Sequence, residues 1–192
     1  LENDFERLAD NLLQDESHSF MYRDFQSRNV MLVNDEPYFI DFQGGRKGPV
    51  YYDVASFLWQ AKANFPPELR DELISTYIES LKKYREVDES KFLKQLRQFV
   101  LFRTLQVLGA YGFRGYFEKK PHFIQSIPFA LNNLRELLKE GFDEYPYLSH
   151  ILKEMVNLKQ FADATKRELE VRVVSFAYKK GIPDDPSGNG GG

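Results

Sequence analysis

Residues 20–56 read FMYRDFQSRNVMLVNDEPYFIDFQGGRKGPVYYDVAS. Two short apolar runs, at 30–33 and 38–40, are separated by Asn34–Pro37, whose residue types favour turns. An apolar run, a turn and a second apolar run are typical of an antiparallel β-hairpin. The stretch therefore predicts a hairpin that returns the chain to its starting point.

Three oxygen-bearing side chains surround this hairpin in the sequence. Asn29 enters the first predicted strand, Asp41 leaves the second, and Asp24 precedes Asn29 by five residues. We expect Asn29 and Asp41 at the same open end, where their oxygens can hold a hard cation such as Mg²⁺. In phosphoryl transfer an Asp accepts the proton of the attacking hydroxyl, and an Asn and a second Asp hold the metal. The alternative is that the three groups only cap surface turns.

Two segments of this stretch resemble a known superfamily. YRDFQSRN at 22–29 is similar to the catalytic loop of the aminoglycoside phosphotransferase and choline kinase superfamily, and FIDFQ at 39–43 to its metal-binding segment. The resemblance is closer to the kinases of the anomeric hydroxyl of N-acetylmuramate and N-acetylglucosamine, which act in cell-wall recycling. Gly48-Pro49-Val50 followed by Tyr52-Asp53, and the later segment 105–128, also match that branch.

The resemblance implies roles for individual residues. Asp24 would be the catalytic base, Asn29 and Asp41 the metal ligands, and Asp53 a buried anchor of the catalytic loop, held by backbone N–H groups near Tyr22 to Asp24. Tyr22 stands where these families usually have a His that ties the catalytic loop to the metal segment, and a phenol can do the same. The residues expected to support the loop are Tyr22, Arg23 and Asp53, and those expected to bind substrate are Arg28 and Arg46.

The fold implied is α+β and mostly helical: a protein-kinase-like C-terminal lobe in which a small β-hairpin carries the metal site. Fewer than thirty residues precede Asp24, so we expect the N-terminal lobe to be absent from this chain. The implied cofactors are ATP and Mg²⁺, and the implied substrate is a sugar or alcohol hydroxyl. Because that lobe helps to position ATP, we expect phosphotransfer by the full-length protein and negligible turnover by this chain alone.

The composition of the chain excludes few classes of protein function. The chain has 192 residues, a net charge of -3 and no cysteine, which fits a reducing, cytoplasmic compartment. The balance of charge favours neither a membrane nor a nucleic-acid partner for this lobe. Apolar spacing predicts helices at 2–13, 50–60, 66–84, from 88 to about 108, at 122–140 and at 146–157.

The second half of the chain raises two questions of function. Arg103 interrupts a nearly continuous apolar helix, where it snorkels to solvent, pairs with a carboxylate near the site or contacts substrate; we favour the structural pair. Gly109 to Lys120 predicts a break in the helix. Its Tyr111, Phe113, Arg114 and Tyr116 form either a wall for stacking a sugar or ordinary packing between helices.

We predict a domain boundary near residue 165. Residues 1–165 would be the kinase-like lobe, and residues 166–192 a truncated start of a second domain or a flexible tail. The run SFAYKKGIPDD at 175–185 resembles the start of the C-terminal domain of the RNase adapter family, which implies an RNA or sugar-phosphate role for that domain.

Two alternatives remain for the function of the whole protein. One is phosphorylation of an aminoglycoside or a choline-like alcohol, which would need an acidic pocket for its cationic acceptor. The other is a regulatory module with a kinase-like fold, acting through the appended domain.

Overall fold

The computed structural model describes residues 1–14 and 19–159, and this part of the chain is mostly helical. The α-helices are α1 (Glu2–Leu12), α2 (Val50–Leu58), α3 (Pro67–Lys82), α4 (Glu89–Gly112), α5 (Pro121–Ile124), α6 (Ile127–Leu137) and α7 (Pro146–Val156). The strands are β1 (Ser19–Met21), β2 (Val30–Val33), β3 (Glu36–Phe39) and β4 (Arg46–Gly48). The predicted boundary near 165, the unit 166–192 and the resemblance at 175–185 lie outside the described residues.

The predicted hairpin is present and is formed by β2 and β3. Val33 pairs with Glu36, so the connection is a two-residue turn, shorter than the predicted Asn34–Pro37. Asn34 and Asp35 adopt φ values of 52° and 64°, a left-handed conformation that Asn and Asp tolerate better than most residues. Because these two residues accept the turn geometry, Glu36 and Pro37 are free to join β3.

A second two-stranded ribbon was not predicted from the sequence. β1 pairs antiparallel with β4, with Ser19 opposite Gly48 and Met21 opposite Arg46. Gly45, just before β4, has no room for a side chain, since a Cβ there would lie 2.4 Å from the ring of Phe20. The pairing fixes the chain on both sides of the hairpin.

The helix α4 is the centre of the helical part. Its buried residues face two clusters of apolar side chains, one with α2 and α3, the other with α6 and α7. The predicted break at Gly109 is wrong in its position, because α4 continues to Gly112 and is followed by a π-helical turn at Phe113–Phe117. The predicted helix at 122–140 is divided into α5 and α6.

The first helix is tied to the last. The carboxylate of Asp4 is buried and accepts a hydrogen bond of 2.8 Å from the backbone N–H of Leu148, in the first turn of α7. The phenol of the buried Tyr145 donates to Gln98 on α4 at 2.8 Å and accepts from Asn11 at 2.6 Å. These contacts hold α1, α4 and α7 together. None of the described helices combines the length and apolar character needed to cross a bilayer.

Candidate active site

At the open end of the hairpin, Asn29 lies opposite Ile40, the residue that precedes Asp41. Asn29 ends a short 3₁₀ turn, Ser27–Asn29, immediately before β2. The backbone N–H of Ile40 donates to the Asn29 carbonyl at 3.0 Å, which extends the strand pairing by one residue. Asp41 follows directly and therefore leaves the hairpin beside Asn29.

The carboxylate of Asp24 is held by three side chains from its own loop. Arg28 forms an ion pair with it at 3.1 Å, and the side-chain amide of Gln26 donates to its other oxygen. The Asn29 amide donates to the Asp24 carbonyl at 2.8 Å and to its carboxylate at 3.4 Å. The Asp24 side chain keeps 40% of its surface exposed, so it is oriented by its neighbours while remaining accessible.

Asp53 on α2 binds the backbone of the loop that carries Asp24. Its two carboxylate oxygens accept hydrogen bonds from the N–H groups of Tyr22 at 2.5 Å and Arg23 at 2.9 Å. These are the donors expected from the sequence. Burial raises the pKa of Asp53, while the two N–H groups and the charge of Arg103 act in the opposite direction.

Tyr22 connects the loop to the end of the hairpin, because its phenol donates to the Ile40 carbonyl. Burial raises the pKa of this phenol, and the charges of Asp41, Asp24 and Asp53 raise it further. The three carboxylates thus act electrostatically on one phenol. Through this bond the Tyr22 phenol links the catalytic loop to the segment that carries Asp41.

Two residues of the site adopt a backbone conformation that is uncommon for side chains other than glycine. Arg23 has φ 75° and Asp41 has φ 68°. Each costs about 1–3 kcal/mol and persists only where its surroundings enforce it. Two contacts stabilise Arg23 in this conformation. Its backbone N–H donates to the Asp53 carboxylate, and its guanidinium donates to the Gly44 carbonyl at 3.2 Å.

Within the described residues 1–14 and 19–159, the side-chain oxygen of Asn29 and one carboxylate oxygen of Asp41 accept no side-chain or backbone hydrogen bond. The Asn29 amide nitrogen is occupied by Asp24, which leaves its Oδ1 available, and Gln43 binds one oxygen of Asp41 at 2.7 Å. The described residues contain no group of three or more His, Cys, Asp or Glu side chains that could hold a metal. Two protein oxygens suit Mg²⁺, which commonly keeps several waters and completes its shell with phosphates.

A cleft of about 760 Å³ opens next to Asp24. It lies between the loop, the end of α2, the second half of α4 and the start of α5. Gln60 connects the end of α2 to the loop: its side-chain oxygen accepts hydrogen bonds from the N–H and the hydroxyl of Ser27 at 2.9 and 3.0 Å. The charged or aromatic residues that line the cleft are Asp24, Arg28, Trp59, Lys62, Arg103, Tyr111, Arg114, His122 and Phe123.

The residues predicted to bind substrate divide into two groups. Arg28 lines the cleft and pairs with Asp24, whereas Arg46 lies exposed in β4 and away from the cleft. Tyr111 and Arg114, two of the residues considered for a sugar-binding wall, line the cleft, while Phe113 and Tyr116 do not. Gln26 and Gln60 were not predicted, since a single Gln in a loop or at a helix end carries no recognisable pattern.

Of the alternatives for Arg103, a direct ion pair with a carboxylate is not formed among the described residues. Its guanidinium binds the Tyr52 phenol at 2.9 Å, the Ser56 hydroxyl at 3.0 Å and the Gln106 side-chain oxygen. None of the ion pairs within the described ranges 1–14 and 19–159 includes it. All three hydrogen-bond partners are neutral, and the carboxylate on which the charge of Arg103 acts is that of Asp53, which binds the backbone of Tyr22 and Arg23.

Comparison with known proteins agrees with this geometry. Residues 1–89 match the family described as "Phosphotransferase enzyme family". An N-acetylmuramate/N-acetylglucosamine kinase from Neisseria meningitidis serogroup B (strain ATCC BAA-335 / MC58) is 30% identical over 140 residues, which cover 71% of this chain and 42% of the relative. A protein of the same name from Pseudomonas aeruginosa PAO1 is 25% identical over 166 residues, which cover 83% of this chain and 48% of the relative.

The chain is therefore related to the phosphotransferase enzymes. Within that class, the resemblance to the N-acetylmuramate/N-acetylglucosamine kinases is confirmed. The chain spans less than half of the length of these two relatives.

Proposed function

We propose that this chain is the C-terminal lobe of an ATP- and Mg²⁺-dependent kinase that phosphorylates a hydroxyl of an amino sugar. The observation that carries the proposal is the position of Asp24, whose carboxylate lies at the wall of the cleft and beside Asn29 and Asp41 at the end of the hairpin. The names of the relatives favour N-acetylmuramate or N-acetylglucosamine as the acceptor.

In this proposal Asp24 orients the acceptor hydroxyl and takes its proton. Such a group contributes typically about 10²–10⁴-fold to the rate. Gln26 and Arg28 each donate to one carboxylate oxygen of Asp24, which itself lines the cleft and remains 40% exposed.

Asn29 and Asp41 would hold the metal ion. Magnesium bound there would neutralise charge on the phosphates of ATP, and phosphoryl transfer depends on such electrostatic stabilisation together with positioning. The residues of this chain fix the positions of the ligands: Asp24 orients the Asn29 amide, Gln43 binds Asp41, and Tyr22 holds the carbonyl just before Asp41.

The charge of the cleft favours an amino sugar over a cationic acceptor. Four cations line it, Arg28, Lys62, Arg103 and Arg114, against one described carboxylate, Asp24, which is already paired with Arg28. An aminoglycoside or a choline-like alcohol would place its positive charge among these cations, at a cost in binding energy. Neutral and anionic acceptors avoid this repulsion.

A substrate panel with the full-length protein tests the proposal. We expect ATP-dependent phosphorylation of N-acetylmuramate or N-acetylglucosamine, and none of choline or kanamycin. Asp24→Asn should abolish turnover and leave the affinity for Mg²⁺–ATP in calorimetry unchanged, whereas Asp10→Asn, an exposed site on α1, should retain wild-type rates. Wild-type activity in Asp24→Asn would refute the role of Asp24. Failure to bind Mg²⁺–ATP at all would favour a regulatory module instead.

A further inference from the structure

Arg103 lies at the wall of the cleft, where neutral groups hold its guanidinium in place. Its guanidinium stacks over the Tyr52 ring at 4.9 Å and is fixed by hydrogen bonds to Tyr52 and Ser56. Its Nε is buried and has no hydrogen-bond partner among the described residues. The residue as a whole is half-buried, and its hydrogen-bond partners are all neutral, so its guanidinium can still accept an anionic partner from the cleft.

Arg103 and Arg28 line the cleft together with Tyr111. Burial raises the pKa of the Tyr111 phenol, and the charges of Arg103 and Arg28 oppose that rise. The charges of both guanidinium groups thus act on this phenol, and all three side chains line the same cleft. Arg28 is already paired with Asp24, whereas Arg103 forms no direct ion pair among the described residues.

The π-helical turn after α4 adds a second cation to the wall. Arg114 stacks on Phe123 of α5, with its guanidinium 5.3 Å from the ring centroid. The turn packs closely against α5, since a Cβ on Gly115 would lie 2.7 Å from Ile124. The position of Arg114 is therefore set by the backbone as well as by its ring contact.

We propose that Arg103, assisted by Tyr111 and Arg114, binds a carboxylate of the acceptor and sets a preference for acidic over neutral amino sugars. The inference rests on the proposed function and assigns Arg103 as a specificity-determining residue. N-acetylmuramate differs from N-acetylglucosamine by a lactyl ether that carries a carboxylate, so this pair of sugars isolates the interaction. An arginine–carboxylate pair can be bidentate and is among the stronger hydrogen-bonded contacts.

The phosphates of ATP are another source of negative charge, and the geometry argues against them. Asn29 and Asp41, which would hold the metal and therefore the phosphates, do not line the cleft, whereas Arg103 does. We therefore expect the anion that Arg103 binds to belong to the acceptor sugar.

The test measures calorimetric affinities of the full-length protein for the two sugars and for Mg²⁺–ATP. In the wild type we expect the acidic sugar to bind at least about tenfold more tightly than the neutral one, with a preference that weakens in high salt. Arg103→Gln should remove the preference, Arg103→Lys should keep part of it, and Arg114→Gln should reduce it. Lys94→Gln removes one exposed charge from the same helix outside the cleft, and it should preserve the preference.

Three results would overturn the inference: equal affinity for the two sugars in the wild type, no binding of either sugar, or an unchanged preference in a folded Arg103→Gln. Loss of ATP affinity in Arg103→Gln with the sugar preference intact would assign the residue to phosphate and also overturn it. An Arg103-dependent preference without any phosphate transfer would support the anion site and reject the proposed kinase activity. Far-UV circular dichroism establishes that each variant is folded.

Discussion

The carboxylate of Asp53 accepts hydrogen bonds from two successive backbone N–H groups, those of Tyr22 and Arg23, at 2.5 and 2.9 Å. This contact fixes α2 to the loop that carries Asp24. It also supports Arg23 in its left-handed conformation, at φ 75°. The position of the proposed base therefore depends on a residue that lies outside the cleft.

Replacing Asp53 with Asn should weaken this attachment. An amide offers one acceptor oxygen, so one of the two N–H groups loses its partner, at a cost of about 1–3 kcal/mol in the free energy of unfolding. We expect a lower urea midpoint and a lower kcat in the full-length enzyme. Asp71→Asn, an exposed acid on α3, is the control for loss of charge alone. An Asp53→Asn variant as stable as that control would contradict the anchoring role.

The raised pKa of Asp53 has a consequence for stability as a function of pH. A carboxyl whose pKa is higher in the folded state than its ordinary value of 3.8 favours folding most below that value. Its contribution is lost as the pH rises through the raised pKa. The stability advantage of the wild type over Asp53→Asn should therefore decrease with rising pH in this acidic window and then become constant. Denaturant titrations at several pH values measure the difference; an increase with pH would show that the pKa is lowered instead.

Tyr22→Phe should uncouple the loop from the end of the hairpin. The variant keeps the ring, which packs 5.4 Å from Phe25, but loses the bond to the Ile40 carbonyl. We expect kcat to fall by at least about tenfold, because small displacements of reacting groups have large effects on rate. Tyr84→Phe, at an exposed residue, should behave as wild type. Unchanged kinetics in Tyr22→Phe would show that Asp41 does not need this link.

Gln60→Ala tests the support of the 3₁₀ turn from the cleft side. The substitution removes the acceptor shared by the N–H and hydroxyl of Ser27, and we expect a loss of about 1 kcal/mol in stability. Because the turn carries Asn29, the concentration of Mg²⁺ needed for half-maximal activity should increase. Gln125→Ala, at an exposed site, provides the matched control. If the two variants needed the same Mg²⁺ concentration for half-maximal activity, Gln60 would have no influence on the metal site.

Asp4→Ala tests the attachment of α1 to α7. The Leu148 N–H would be left buried without its acceptor, and the first turn of α7 would lose a favourable negative charge. The expected loss in the free energy of unfolding is about 1–3 kcal/mol. Asp10→Ala lies on the same helix but is exposed, so it should cost far less. Similar unfolding midpoints for the two variants would refute the role of Asp4.

Some elements could be predicted because their signals are local. The Asn-Asp pair at 34–35 specifies a tight turn by its own backbone preferences, and α7 begins at Pro146, a residue suited to a first helical turn. Other elements depend on distant partners. The strands β1 and β4 contain three residues each, too few to show alternation, and they exist because they pair with each other. Likewise α4 passes through Gly109 because packing against α2 and α6 outweighs the low helix propensity of glycine.

The sequence by itself determined the order of the site residues along the chain and the hairpin that returns Asp41 to Asn29, because spacing and turn chemistry are local properties. Only the tertiary structure decided that Arg103 has neutral partners, that Arg46 lies away from the cleft, and that Gln60 supports the turn beside it. The physical reason is that the environment of a charge depends on which helices pack around it, and residues distant in sequence supply those neighbours.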